Sequence, residues 1–158
     1  MDTPTQTVST QPSANFANFG RRLLASLLDG LLIVITTNIL GWLLRFSLTS
    51  VIDIQNSPFE IAVLLDLIIF FIQLALNILY FVYFIGERGQ TLGKIALGIK
   101  VVRLDTIQVP GYGTAALREI LGKLVSTLTL GIGYLWMLWD PKRQTLHDKI
   151  AGTVVVRV

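Results

Sequence analysis

RLLASLLDGLLIVITTNILGWLLRF, residues 22–46, is longer than the roughly 20 apolar residues that a helix needs to cross a bilayer. Its one acidic residue, Asp29, falls about two turns in. A carboxylate at the centre of a membrane helix costs about 2.5–3.5 kcal/mol on insertion scales. Asp29 therefore predicts a partner, a protein-facing orientation, or chemistry. Arg22 lies two helical turns earlier, on the same face. The two are separated by about 10 Å along the axis at 1.5 Å per residue. Each is expected to reach a group on another element, such as Asp148 or Glu119 for Arg22.

A second run, FEIAVLLDLIIFFIQLALNILYFVYFI at residues 59–85, is also long enough to span. Trp42 and Arg45 near the end of the first run, and Tyr80, Tyr83 and Phe84 near the end of the second, suit membrane interfaces. Arg22, Asp29 and Thr36 recur every seven residues, with Ser26 beside them. Asp66, Gln73, Asn77 and Tyr80 share one face of the second run. Two such polar stripes are expected to face each other, because lipid would leave all of these groups unsatisfied. The functional reading is a hydrated path with titratable carboxylates at Asp29 and Asp66. The plainer reading is interhelical glue, each contact worth about 1–2 kcal/mol or less.

The chain of 158 residues has room for one small domain, and 53% of it is hydrophobic, which argues against a soluble fold. Its net charge of +3 comes from Lys and Arg gathered beside the apolar runs. That placement points to anionic lipid headgroups rather than nucleic acid. No cysteine and a single histidine, His147, exclude disulfides and thiolate sites and argue against a zinc centre. No cofactor is expected. Residues 1–18, rich in Thr, Gln, Ser, Asn and Pro, read as a disordered tail. Arg21-Arg22 before an apolar run has the look of an export signal. The run is too long for one, carries Asp29 and ends in no small-residue cleavage site.

Residues 86–113 look soluble. A Gly-rich turn leads to a short amphipathic piece around Lys94–Leu97 and then to a strand at residues 99–104. Residues 107–109 could return as a partner strand before Pro110-Gly111. Residues 153–158 are also strand-like and are expected to pair with residues 99–104. Between them, Arg118, Glu119, Lys123 and the break at Leu130–Gly133 shorten the third apolar region, residues 114–140. Charge chooses between a single span and a bent hairpin there. Arg21 and Arg22 place the N-terminal side in the cytoplasm, as do Arg88, Lys94, Lys100 and Arg103 for the middle, and Lys142, Arg143, Lys149 and Arg157 for the C-terminal side. Only a helical hairpin satisfies all three. A short helix and a strand fill residues 144–158.

Gly89-Gln90-Thr91-Leu92-Gly93-Lys94 fails as a phosphate loop. Arg88 stands where its first glycine should be, and Ile95 where Ser or Thr should follow the lysine. It reads as a surface turn, with Lys94 reaching to headgroups. Asp140 is placed to accept backbone N–H groups after the helix that Pro141 ends. His147 and Asp148 are adjacent and would point apart on a helix, so they make no dyad. No nucleophile setting is present, and the chain is not expected to be an enzyme.

Arg22-x-x-Ala25-x-x-x-Asp29 resembles the opening signature of the RDD family of small membrane proteins, named for one arginine and two aspartates. Gly89-x-Thr91-x-Gly93-Lys94-x-x-x-Gly98-x-x-Val101-Val102 resembles its middle motif. His147-Asp148-x-x-Ala151-Gly152-Thr153 resembles its terminal one, with Asp148 as the second aspartate. The resemblance covers nearly everything after the tail. It implies a bacterial inner- or plasma-membrane protein and, from a role suggested for some members, transport by cation/proton antiport. The expected fold is all-α and polytopic, with two long transmembrane helices, a short helical hairpin, a small cytoplasmic sheet and both termini inside. Two functions fit it. One is a transporter or transporter subunit with Asp29 as ion or proton site, Arg22 and Asp148 as its electrostatic partners, and an oligomeric or partnered assembly. The other is a non-catalytic scaffold or accessory subunit in which the same charges lock helix to surface domain.

Overall fold

The computed structural model describes residues 15–49 and 59–158. Two antiparallel helices dominate it, α1 (Phe19–Thr49) and α2 (Phe59–Arg88). Both are long and apolar enough to cross a membrane. Their Leu, Ile and Phe side chains point mostly outward, as at Leu31, Ile39, Phe71 and Leu79. That exposure suits lipid rather than water.

The core lies at one end, where the start of α1 meets the end of α2. Ala17, Ala25, Ile85, Ile99, Val101, Ala115 and Val155 are buried together there. Helix α3 (Leu92–Ala96) and strand β1 (Ile99–Arg103) follow α2, and β2 (Thr153–Arg157) closes the chain. The strands pair antiparallel, from Ile99 opposite Arg157 to Arg103 opposite Thr153. The alternating β-branched residues that predict this pairing also place Val101 and Val155 in the core. Residues 107–109 add no strand. Ile107 donates to the Arg103 carbonyl at 3.0 Å and Arg103 to the Gln108 carbonyl at 2.9 Å, so the segment is a turn folded back on β1. Residues 15–17, assigned to the tail by composition, are an edge instead. Phe16 bridges Val156, and Ala17 donates to the Val155 carbonyl at 2.8 Å. Residues 1–14 of that tail, and the loop carrying Asp53 and Pro58, lie outside the described residues.

The third apolar region is a bent pair. Helix α4 (Tyr112–Ala116), a wide π-turn segment (Leu117–Gly122) and α5 (Lys123–Leu128) form one arm. Helix α6 (Ile132–Leu135) and a 3-10 turn (Trp136–Leu138) form the other, turned by 110°. Gly131 makes the bend at φ 82°, a left-handed conformation that glycine adopts without strain. The arms touch because position 133 has no side chain; a Cβ there would lie 2.7 Å from the Ser126 Cα. Asp140 then accepts from the Lys142 and Gln144 amides at 3.0 and 3.1 Å, turning the chain into α7 (Leu146–Ile150).

Candidate functional site

Asp29 is 1% exposed, and four groups from two other elements meet it. It accepts hydrogen bonds from the Tyr80 hydroxyl of α2 at 3.1 Å, the Thr91 hydroxyl at 2.5 Å and the Gly93 amide at 2.8 Å. The Lys94 ammonium lies 3.7 Å from Oδ2, the oxygen that also accepts from Thr91. The sequence arranges this in simple ways. Thr91 is extended ahead of α3, which turns the first amides of that helix toward α1. Ala25 and Gly93 are small enough for the two backbones to touch, and a Cβ on Gly93 would sit 2.3 Å from the Ala25 carbonyl oxygen.

Lys94 folds inward against Thr91 and Asp29 rather than out into solvent. Its side chain is 12% exposed and donates to the Thr91 hydroxyl at 3.3 Å. Burial, and then the nearby Arg118 charge, push its pKa down to about 8.

Asp148 anchors a second cluster. It is fully buried in the first turn of α7, where it accepts from the Thr145 amide at 3.1 Å and the Thr145 hydroxyl at 2.8 Å. This is a capping box with an aspartate in the third position. Arg22 of α1 pairs with it, and Arg118 of the π segment adds bonds at 3.0 and 2.9 Å. Burial alone would raise the carboxyl, but Arg22 and Arg118 outweigh it and hold Asp148 well below the usual carboxylate range. Arg118 also binds Glu119 at 2.9 Å, and Lys123 lies 2.5 Å from the second Glu119 oxygen. His147 Nε2 lies 3.8 Å from Asp148 Oδ1, too far for a hydrogen bond. Its Nε2 is 2.9 Å from the Thr145 hydroxyl and its Nδ1 3.4 Å from Ser126, and burial pushes its pKa down to about 3.

A cleft of about 620 Å³ runs between α1, α2 and the hairpin. Arg22, Lys94, Arg118 and Lys123 border it on one side, while Leu23, Val34 and Phe81 are among its apolar walls.

A profile of the RDD family matches residues 16–152. The chain belongs to the RDD family. A proline-rich antigen homolog of Mycobacterium tuberculosis is 29% identical over 96% of this chain and 67% of its own length. An uncharacterized membrane protein of Bacillus subtilis, YteJ, is 32% identical over 89% of this chain and 80% of its own. A second uncharacterized Bacillus subtilis protein, YckC, is 31% identical over 88% and 83%. No solved structure matches.

The three residues that resemble the family signature meet other elements, Arg22 with Asp148 and Asp29 with Thr91, Gly93 and Lys94. The motif glycines Gly89, Gly98 and Gly152 have φ of 70°, 60° and 61° and shape the turns that flank the two strands. The polar stripe is only partly assembled. Tyr80 reaches Asp29 and Asn77 borders the cleft, but Gln73 donates to the Thr37 carbonyl at 2.9 Å rather than to Thr36. Thr36 is exposed and bonds back to its own helix at Leu32, 2.8 Å away. Asp66 does not share a path with Asp29. It lies about 21 Å from Tyr80 along α2, half-exposed, and pairs with Arg45 at 2.5 Å. The physical reason is that one residue of phase moves a side chain by about 100° around a helix, enough to exchange Thr36 for Thr37. Asp66→Asn is therefore expected to cost no more than about 1–2 kcal/mol in thermal unfolding, the range of polar contacts between membrane helices. A larger loss would place Asp66 inside the packed network.

Arg118 is the site residue that sequence reading passed over. Three charges at 118, 119 and 123 look like the end of a membrane run, yet they pair inward. Their signal was that neither lipid nor a short helix could satisfy so many charges.

Proposed function

We propose that this RDD protein is a multi-pass plasma-membrane transport unit, with its sheet, α3 and α7 at the cytoplasmic face and its hairpin shallow in the bilayer. The basic residues of the capped end, from Arg22 through Lys94 and Lys100 to Lys142 and Arg157, support that orientation. The observation that carries the reading is the buried Asp29–Lys94 pair beside a cleft between the long helices. Below about pH 8 Lys94 is charged and neutralises Asp29. Above it the amine gives up its proton, and a monovalent cation can replace that charge at the carboxylate. One proton leaves as one cation enters, so the charge of the site is unchanged. Two long helices make a thin pathway, which favours an oligomer or a partnered assembly.

Proteoliposomes with a sodium or potassium gradient and an internal pH dye test this. Wild type should show cation-driven proton movement that rises with pH through about 8. Asp29→Asn should abolish it, and Lys94→Met should remove the pH step. Absence of flux in the wild type, or equal flux in Asp29→Asn, would end the exchange reading. The saturated bonding of Asp148 favours a second reading, a scaffold whose charges clamp the surface elements onto α1. That reading predicts strong coupling between Arg22 and Asp148 with no flux at all.

A further inference from the structure

Positive charge exceeds negative around the cleft. Arg22, Lys94, Arg118 and Lys123 face the carboxylates of Asp29, Glu119 and Asp148, and neutral His147 adds no charge. Three of the cations are well served. Arg22 binds Asp148 and, at 2.8 Å, the Arg143 carbonyl; Arg118 binds both Asp148 and Glu119; Lys123 lies against Glu119. Lys94 is not. It has one long bond to Thr91 at 3.3 Å, and Asp29 lies at 3.7 Å, beyond hydrogen-bond reach. An ammonium with unspent donors borders the cleft, where an anion would be drawn to it.

The rest of the cleft is unlike an inorganic anion site. From Phe19 to Val34 it follows α1 for about 22 Å, past Leu23 and Ile33, with Phe81 opposite. Leu23 is 45% and Val34 56% exposed, so these walls are open to an apolar occupant. Gly30 lies on the same lining, and a Cβ there would meet nothing within 4 Å.

We propose that the cleft binds one anionic phospholipid, its phosphate on Lys94 and an acyl chain along Leu23, Ile33 and Val34. One surplus positive charge matches one phosphodiester. A choline headgroup brings its own cation and would lose that match. The binding does not rest on ion exchange, since a chain that moves no proton would still hold the lipid.

Native mass spectrometry of the full chain in neutral detergent tests it, with phosphatidylglycerol and phosphatidylcholine of identical acyl chains in competition. One phosphatidylglycerol should be retained over phosphatidylcholine by about tenfold, equivalent to about 1.4 kcal/mol. Lys94→Gln should erase the preference. Gly30→Leu should displace both lipids while keeping the unfolding temperature at or above wild type, because leucine favours a helix interior over glycine. That variant keeps the test valid should Lys94→Gln fail to fold. Inorganic phosphate at the same concentration should displace little lipid. Equal retention of the two lipids, unchanged binding in Gly30→Leu, or full displacement by phosphate alone would each overturn the proposal.

Discussion

Asp148→Ala should destabilise the protein by about 3–5 kcal/mol, because it strands two guanidinium groups in a buried site. Asp148 has no exposed surface and joins α1, the hairpin and α7 through Arg22, Arg118 and Thr145. Arg22→Ala should cost less, since Arg118 still neutralises the carboxylate. The double substitution should cost less than the sum of the two, and that difference measures their coupling. Thermal unfolding followed by tryptophan fluorescence gives all three values. The pH dependence has a definite sign. The folded carboxyl titrates below its unfolded value of about 3.9, so its stabilisation is complete above that pH and fades as the pH falls further. The gap between wild type and Asp148→Ala should therefore stay constant from pH 7 to about 5 and narrow only below about 4. A gap under about 1 kcal/mol at pH 7 would show that the buried pair contributes no more than a surface one.

Gly93→Ala should be nearly as damaging through a purely steric route. The added methyl would lie 2.3 Å from the Ala25 carbonyl oxygen and 2.9 Å from the Asp29 carboxyl. Backbone blocks one side and a buried acid the other, so α3 must withdraw from α1. Overpacking of this kind costs about 1–3 kcal/mol. Withdrawal also stretches the bonds that Thr91 and Gly93 give to Asp29. Gly113→Ala is the control. Its Cβ would meet nothing within 4 Å, and alanine favours a helix, so its unfolding temperature should equal or exceed wild type. Equal behaviour of the two alanines would mean that α3 does not bear on α1 at residue 93.

The long helices and the strand pair could be read from the sequence because length and alternation are local signals. The 25 residues from Arg22 to Phe46 need no neighbour to be recognised as a helix long and apolar enough to span, nor do Val101 and Val102 to be recognised as strand. The partnership of Arg22 with Asp148 was within reach, since a charge two turns from its nearest opposite must look to another element. Arg118 was not, because its target is set by a π segment and a 110° bend that only packing determines. Lys94 turns inward for a related reason. Beside a bilayer a lysine ordinarily extends its stem to water, and only the close approach of α3 to α1 turns it inward. Asp66 shows the limit of helical phase as a guide, because two faces can align on a wheel while the helices meet at only a few points.

Among the described residues, both outer edges of the small sheet are occupied. Asn15 and Ala17 occupy the outer side of β2, while Gly89 and Gln108 accept the outward amides of Val101 and Arg103 on β1. Strand addition, by which an open sheet edge recruits another chain, is blocked on both flanks among the described residues. The broad apolar exposure that remains among the described residues is on the long helices, as at Leu31, Phe71 and Leu79.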